Sequence, residues 1–474
     1  MTGTRAVLDG WEATGPGLRS AAVSRSPRAA AVAVWRRHHD LLGGAASLTA
    51  TTGVASVLGF AYWALAARLF SQQAVGYGSA AVSAVTLLAA IGMLGLGTVL
   101  IGELPQRRPR AGVISAALLT SGVGSLLIGL EFAVVAPHIS GRFRDMSGTP
   151  GQAALFAAGV ALTGVVLVFD QATIGLSRGG LQLARNIAFA ASKLVALPVA
   201  AVILHDKLGV GITVSWVAGT ALSVTTVAIR LWFTGTPVFP RPDWGVLRKL
   251  GRTAVAHSWL NLAIVVPRSL IPVLVTVIVS PSANAAFYAA WTLSGFLYIV
   301  PTHLSTVLFA VASADPRSIA RKLRFTLRLS ALIGLPGMAA VGLGAHLALS
   351  LFGAGYARAG TVPLWLLAIG YLPTIPKVQY IAVCRAAGRI PRAAAVLTAA
   401  GVVEVAAAAA GGASGGLNGL SIALLAAFMA EGLVTTPPVL RAAFGHGRHR
   451  AADPGPGRRN THRSEAGERW PGVV

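Results

Sequence analysis

The residues best suited to chemistry are ionisable side chains that interrupt long apolar runs. Arg268 lies near the middle of one run, within Val266–Pro272, and Lys193 and Lys377 interrupt two others. Charged groups at membrane depth are costly, so they normally face a polar cavity or an oppositely charged partner. Asn261 lies on the same helical stripe as Arg268, seven residues before it. Fixed cations in a cavity would bind an anion, and a guanidinium matches a phosphate with two parallel donors.

Four carboxylates interrupt the apolar runs in the same way. They are Glu131, Asp170, Glu404 and Glu431. An embedded carboxylate can carry a proton or a sodium ion and so couple transport to an ion gradient, or it can form an ion pair with a cation such as Arg268 or Lys193. The sequence leaves both roles open. Lys377 lies closer to the end of its run, and its ammonium could instead extend to the membrane surface.

No combination of residues typical of an enzyme or a metal site occurs in the sequence. There is no nucleophile elbow, no histidine cluster with metal-ligand spacing and no phosphate-binding glycine loop. Cys384 is the only cysteine, which excludes an intramolecular disulfide and a cysteine-based metal site. The longest outer loop, Pro137–Gln152, is short for a membrane glycosyltransferase. We therefore expect no catalytic residues, no metal and no cofactor.

About twelve apolar stretches must position these side chains. Each is near the roughly 20 residues with which an α-helix crosses the hydrocarbon core. The stretches are Ala45–Ala66, Gly76–Ile101, Gly112–Val135, Ala153–Ala172, Ile187–Leu204, Gly211–Phe233, Ala254–Val279, Ala286–Val311, Leu327–Leu351, Val362–Val383, Arg392–Ala410 and Leu417–Leu440. With 54% hydrophobic and 11% charged residues, the chain is not an ordinary soluble domain. We predict an all-α polytopic membrane protein.

The loops between the stretches alternate in positive charge. Loops after even-numbered stretches carry most of the Arg and Lys, including Arg107, Arg108, Arg110, Arg248 and Lys249. Positively charged short loops stay in the cytoplasm, so we predict that both termini are cytoplasmic, in a bacterial plasma membrane. The net charge of +24 reflects this bias and two basic tails, which would attract anionic lipid headgroups. No folded domain is left to bind nucleic acid.

The membrane part divides into two halves that resemble each other. The predicted segments are a basic disordered tail at 1–42, a six-helix bundle at 43–233, a cytoplasmic linker at 234–253, a second six-helix bundle at 254–440 and a basic disordered tail at 441–474. Tyr77 matches Tyr288 and Arg178 matches Arg385, at offsets of 211 and 207 residues. A repeat of this kind places a transport site at the interface between the halves.

Several segments resemble those of polysaccharide transporters. Ala67–Tyr77 resembles their first outer loop, and Ala90–Ile101 resembles the glycine-rich end of their second helix. Leu351–Tyr356 and Cys384–Arg392 resemble the outer loop before the tenth helix and the cytoplasmic turn after it. Over nearly all of Ala45–Leu440 the sequence is similar to Wzx-like lipid-linked oligosaccharide flippases. These belong to the multidrug/oligosaccharidyl-lipid/polysaccharide (MOP) superfamily.

The resemblance implies a V-shaped, MATE-like pair of six-helix bundles around a cationic cavity, and transport by alternating access. The implied cargo is a polyprenyl-diphosphate-linked glycan, and Arg268, Lys193, Lys377 and Asn261 are its expected binding residues. The implied partners are this glycan lipid, membrane lipids, and the glycosyltransferases and polymerase of a polysaccharide pathway. Two alternatives stay open. One is a cation-coupled multidrug exporter of the same superfamily, and the other is a non-transporting scaffold of a glycan-assembly complex.

Overall fold

The computed structural model describes residues 53, 55–104, 111–144, 148–176, 178–204, 209–233, 241–314 and 318–445, and it is helical throughout most of them. The predicted tail 1–42, most of the predicted tail 441–474 and residues 234–240 of the predicted linker lie outside this described part. Its helices are α1 Ala55–Leu69, α2 Gln72–Gly92, α3 Leu96–Glu103, α4 Ala111–Ile139, α5 Pro150–Gly175, α6 Gly179–Ile203, α7 Val210–Phe233, α8 Trp244–Leu274, α9 Pro281–Ala314, α10 Ile319–Ser350, α11 Ala354–Ile369, α12 Tyr371–Ala386 and α13 Ile390–Phe444.

These helices account for about twelve membrane crossings. Within the described residues, nine helices are long and apolar enough to cross a membrane, and α11 and α12 form one further crossing that is bent by 45°. The 55-residue α13 reverses at Gly415 and Gly416 and therefore provides two crossings rather than one. The shorter apolar helix α1 completes the set. The predicted all-α class with about twelve transmembrane helices is confirmed.

The reversal within α13 depends on glycine. Gly416 has a φ of 59° and a ψ of −143°, a conformation that only glycine adopts without strain. Gly411 and Gly419 then face each other across the turn, and a Cβ on either would collide with the carbonyl oxygen of the other. The eleventh and twelfth crossings consequently pack backbone to backbone, as small residues allow in membrane helices.

Some predicted element boundaries differ from the structure. The second stretch is not one continuous helix: it breaks between α2 and α3, where Leu94 and Gly95 have φ angles of 51° and 70°. The helix of the seventh crossing is longer than its apolar stretch, because α8 begins at Trp244, within the predicted linker. Asp243 caps this helix by accepting a hydrogen bond from the backbone N–H of Val246 at 3.0 Å. Polar residues thus extend the helix beyond its apolar part.

The helices form two halves, α1–α7 and α8–α13. In the first half, α4 packs on α5 and α6 packs on α7; in the second, α12 packs on α13 and α10 packs on α11. The halves meet where α2 contacts α8 and α9. A shared apolar core contains Tyr62 and Phe70 of the first half and Ile271, Phe287 and Phe352 of the second. This core lies toward the end of the molecule that carries the loops after the odd-numbered crossings. We call this end the odd-loop end.

Two contacts between the halves at the odd-loop end come from glutamine and asparagine side chains. Gln72 donates a hydrogen bond to the carbonyl oxygen of Ser282 at 3.0 Å. The buried Asn284 donates to the carbonyl oxygen of Gly76 and lies 3.0 Å from the hydroxyl of Ser79. Both amide groups therefore hold the first two turns of α2 against the first turn of α9.

Two arginines of the first half make further contacts at the same end. Arg68 donates to the carbonyl oxygen of Leu351 through Nε at 3.1 Å and Nη2 at 2.9 Å. Arg142 donates through Nη1 to the carbonyl oxygens of Thr276 and Val277, both at 2.6 Å. These carbonyls belong to the π-helical segment Val275–Val279, which follows α8. They lie in the last turn of the segment, where carbonyl groups have no partner within the helix.

The close approach of α2 and α9 predicts the effect of Gly76→Ala. The added Cβ would overlap the carbonyl of Pro281, which is backbone and cannot rotate away. Overpacking of this kind typically costs about 1–3 kcal/mol. We expect a lower melting temperature of the purified protein in detergent. Gly59→Ala is the matched control, because its Cβ would meet no atom within 4 Å, and an equal loss of stability in both variants would contradict the prediction.

Candidate functional site

One cavity of about 420 Å³ lies between the two halves of the described structure. It is lined by Ser56, Gly59, Trp63, Ser83, Thr86, Lys193 and Trp216 of the first half and by Arg268, Ser269, Tyr288, Trp291, Thr292, Gly295, Phe296, Tyr298, Ile299, Thr302 and His303 of the second. The first, second, seventh and eighth crossings supply most of these residues. The lining combines two cations, several hydroxyl groups and a set of large aromatic rings, and it includes no carboxylate.

Arg268 reaches the cavity from α8. Its side chain is exposed, although it lies within the apolar span Ser258–Val279. Pro267 and Pro272 flank it, and a proline lacks the N–H that would complete the helical ladder. Among the described residues no carboxylate forms an ion pair with Arg268. Its guanidinium donors are therefore available to a ligand in the cavity.

Lys193 reaches the same cavity from α6 in the other half. Only 4% of this residue is exposed. Its Nζ lies 4.4 Å from the ring centre of Trp216, 4.6 Å from that of Phe189 and 4.7 Å from that of Tyr62. We call these three rings the aromatic box. Cation–π attraction, which is worth about 2 kcal/mol or more when the pair is desolvated, stabilises the ammonium where no described carboxylate pairs with it.

Lys377 does not line the cavity. Its Nζ lies 3.0 Å from Oε1 of Glu404 and 2.7 Å from Oε2 of Glu431. Both carboxylates are buried, with side-chain exposures of 5% and 3%, and Oε1 of Glu431 has no hydrogen-bond partner. One ammonium thus faces two carboxylates inside the second half. The cluster therefore carries one net negative charge when all three groups are ionised.

The remaining predicted site residues lie elsewhere. Asp170 forms a two-pronged ion pair with Arg185, with Oδ1–Nε and Oδ2–Nη2 distances of 2.8 Å. Asn261 donates to the hydroxyl of Thr98 at 2.5 Å and so joins α8 to α3 away from the cavity lining. Glu131 is exposed on the outer face of α4. The structure therefore brings Arg268 and Lys193 together on one cavity and groups Lys377 with two of the acids.

The aromatic residues of the cavity and the box were not among the sequence predictions. One signal was visible: Phe189 precedes Lys193 by four residues, one helical turn, on the same face of α6. Trp63, Trp216, Tyr288 and the other rings come from helices far apart in the chain. An aromatic residue in an apolar stretch looks like ordinary packing until the fold is known.

Comparison with known proteins supports the fold. No family model and no curated protein sequence matches this chain. An inward-facing multidrug resistance MATE family transporter of the MOP superfamily is similar in structure, with a TM-score of 0.61, 17% identity and coverage of 81% of this chain and 94% of the other. A MATE protein in complex with MaL6 is similar with a TM-score of 0.59, 14% identity and coverage of 85% and 96%.

A MOP superfamily transporter from Pyrococcus furiosus is also similar in structure, with a TM-score of 0.58, 14% identity and coverage of 85% of this chain and 96% of the other. That protein is described as having a binding pocket of reverse polarity, which suggests a different function. These identities are low, whereas each alignment covers nearly the whole of the known structure. The chain therefore has the all-helical membrane fold of the MATE transporters of the MOP superfamily.

Proposed function

We propose that this protein translocates a lipid-linked oligosaccharide or polysaccharide precursor, carried on a polyprenyl diphosphate, across the cytoplasmic membrane of a bacterium by alternating access. The observation that carries the proposal is the pair of cations on the cavity, Arg268 from one half and Lys193 from the other, neither paired with a described carboxylate. The MATE-type fold supports transport by alternating access, and the resemblance of the sequence to Wzx-like flippases supports the choice of cargo.

The chemistry of the cavity suits such a cargo. A diphosphate is a compact multivalent anion, and the guanidinium of Arg268 can donate two parallel hydrogen bonds to it. Hydroxyl groups such as those of Thr86 and Thr292 can exchange hydrogen bonds with sugar hydroxyls. The flat apolar faces of Trp63 and Trp291 can pack against sugar rings. The polyprenyl chain, being apolar, can stay in the bilayer beside the bundles.

The buried cluster of Lys377, Glu404 and Glu431 supports ion coupling in this proposal. A net negative charge in a low-dielectric interior is unfavourable, so the cluster is expected to hold a proton or a monovalent cation. Asp170 is neutralised by Arg185, which favours a structural role for that pair. The two halves thus differ: among the described residues, only the second half contains a buried carboxylate in excess of its cationic partners.

A cation-coupled multidrug exporter is the second candidate, and the MATE-type fold is the observation in its favour. The polarity of the cavity opposes it, because the positive charges of Arg268 and Lys193 would repel an organic cation and no carboxylate in the lining offsets them. The described reverse polarity of the Pyrococcus pocket is a precedent for a changed pocket charge on this fold. A scaffold role has less support, since a scaffold needs no polar cavity between its halves.

Reconstitution into proteoliposomes tests the proposed function directly. A fluorescent oligosaccharide on a polyprenyl diphosphate would be loaded into one leaflet, and its appearance in the other would be followed by quenching from outside. We expect protein-dependent flipping of this lipid and little flipping of the same oligosaccharide on an uncharged polyprenol. Equal rates for both lipids, or flipping no faster than in protein-free vesicles, would overturn the proposal.

The proposed orientation, with both termini in the cytoplasm, rests on the alternating charge of the loops. We predict that Gly151→Cys reacts with a membrane-impermeant maleimide added to intact cells, whereas Arg248→Cys does not. Both positions are exposed, so accessibility alone does not distinguish them. Cys384 is buried and should be replaced by alanine in both variants. Labelling of Arg248→Cys only would reverse the topology.

A further inference from the structure

The residues of the aromatic box around Lys193 contact one another as well as the lysine. Tyr62 is held by a 2.7 Å hydrogen bond between its hydroxyl and that of Ser215. The ring of Trp216 meets the ring of Phe189 edge to face at 5.1 Å and that of Tyr62 at 5.8 Å. Each ring therefore supports another, and the box does not depend on Lys193 for its shape.

The backbone of the next helix reinforces this arrangement. A Cβ on Gly219 of α7 would come within 2.8 Å of the Cβ of Lys193, so α6 and α7 pack closely at this level. The close packing fixes the position of the Cβ of Lys193, and the three rings of the box fix the position of its ammonium group. Three rings, each within 4.4–4.7 Å of one nitrogen, form the surroundings by which proteins recognise alkylammonium ligands.

Two other cations within the apolar helices, the buried Arg185 and the half-buried Lys377, are stabilised differently. Lys377 contacts two carboxylates and Arg185 contacts one. Among these three, Lys193 alone has aromatic rings and no described carboxylate as partners, and it alone lines the cavity. A carboxylate partner would neutralise the charge of Lys193, whereas aromatic rings hold the ammonium in place and leave its charge able to act on a ligand.

We propose that the aromatic box is an organic-cation site that the protein fills with its own Lys193 ammonium, so that Lys193 excludes organic cations from the cavity and selects for anionic cargo. The anion selection rests on the proposed function; the occupancy of the box does not. The ligand class of the vacated site is a small alkylammonium ion, bound by cation–π attraction rather than by a carboxylate.

The variant Lys193→Ala tests the proposal, because the side-chain atoms that it removes correspond to n-propylammonium. We expect the purified full-length variant to bind n-propylammonium saturably, measured by calorimetry and as a rise in melting temperature. The unaltered protein should bind it at least tenfold more weakly. The neutral n-propanol should not replace it, because filling of apolar volume alone would not supply the charge. Equal binding to both proteins, or binding of n-propanol as tight as that of n-propylammonium, would overturn the proposal.

Two further variants isolate the roles of the empty space and of the rings. Lys193→Met leaves the box filled by an uncharged chain, so n-propylammonium should not bind to it. Adding Phe189→Leu to Lys193→Ala keeps an apolar side chain but removes one ring, and it should weaken binding severalfold. Undiminished binding of n-propylammonium in either variant would contradict the assignment of the aromatic box as its binding site. If Lys193→Ala binds the cation while the unaltered protein fails to flip the diphosphate lipid, the cation site stands and the proposed cargo is refuted.

Discussion

Arg268→Ala is expected to abolish export of the diphosphate-linked glycan while the protein still accumulates in the membrane. The variant loses the guanidinium donors on the cavity wall. Two hydrogen bonds to a charged group, each worth about 1.5–3 kcal/mol, correspond to a fall of roughly 100-fold or more in cargo affinity. Complementation of a glycan-export defect and the proteoliposome assay both measure this loss. Arg268→Lys should retain part of the activity, because charge without the planar fork still attracts phosphate.

The matched control for this prediction is Thr292→Ala. Thr292 lines the same cavity but carries no charge, so its removal should reduce transport only a few-fold. The melting temperatures of the arginine and threonine variants should stay near that of the unaltered protein, because neither side chain has an ion-pair partner in the described structure. Full activity of Arg268→Ala would eliminate the anion site, and with it the main physical support for the flippase proposal.

Lys377→Met is expected to destabilise the protein strongly, through a different mechanism. It leaves the buried carboxylates of Glu404 and Glu431 close together without their shared cation. Removing one partner of a buried ion pair typically costs about 3–5 kcal/mol. We therefore expect a large fall in melting temperature in detergent, partly recovered at low pH, where protonation neutralises the carboxylates.

The triple variant Lys377→Met, Glu404→Gln and Glu431→Gln separates the charge effect from lost packing. It removes all three charges at nearly constant volume, and it should regain most of the stability lost in the single variant. If ion coupling depends on the cluster, the stable triple variant should nevertheless lose its response to an imposed pH or sodium gradient. A triple variant that is as unstable as Lys377→Met would show that the carboxylates are not the cause.

The transmembrane architecture could be predicted from the sequence because lipid imposes a local rule: every backbone group must be satisfied within its own segment. Apolar runs of sufficient length therefore reveal the crossings directly. The breaks within them were harder to predict. The interruption at Leu94 and Gly95 and the reversal at Gly415 and Gly416 occur in runs that already contain many glycines, so composition did not single out the glycines at which the chain turns.

The site was only partly predictable, because the residues that surround each charged side chain come from distant segments of the chain. Arg268 and Lys193 lie in stretches without an adjacent acid, and both reach the cavity. Lys377 looked similar in sequence, yet the fold brings it to two carboxylates from another hairpin. An intramembrane charge can be recognised from one helix alone, whereas whether it is neutralised depends on which helices pack around it.

The hydrogen bonds that close the odd-loop end have a consequence for how the protein tolerates genetic change. Arg68, Gln72 and Arg142 all donate to main-chain carbonyl oxygens, and every amino acid provides such an oxygen. The acceptor positions Leu351 and Ser282 can therefore change in side-chain identity without losing the bond. The donor positions cannot drift. Random mutagenesis should therefore find few tolerated substitutions at Arg68 and Gln72. It should find many at Leu351 and Ser282, which lie opposite them across the boundary between the halves.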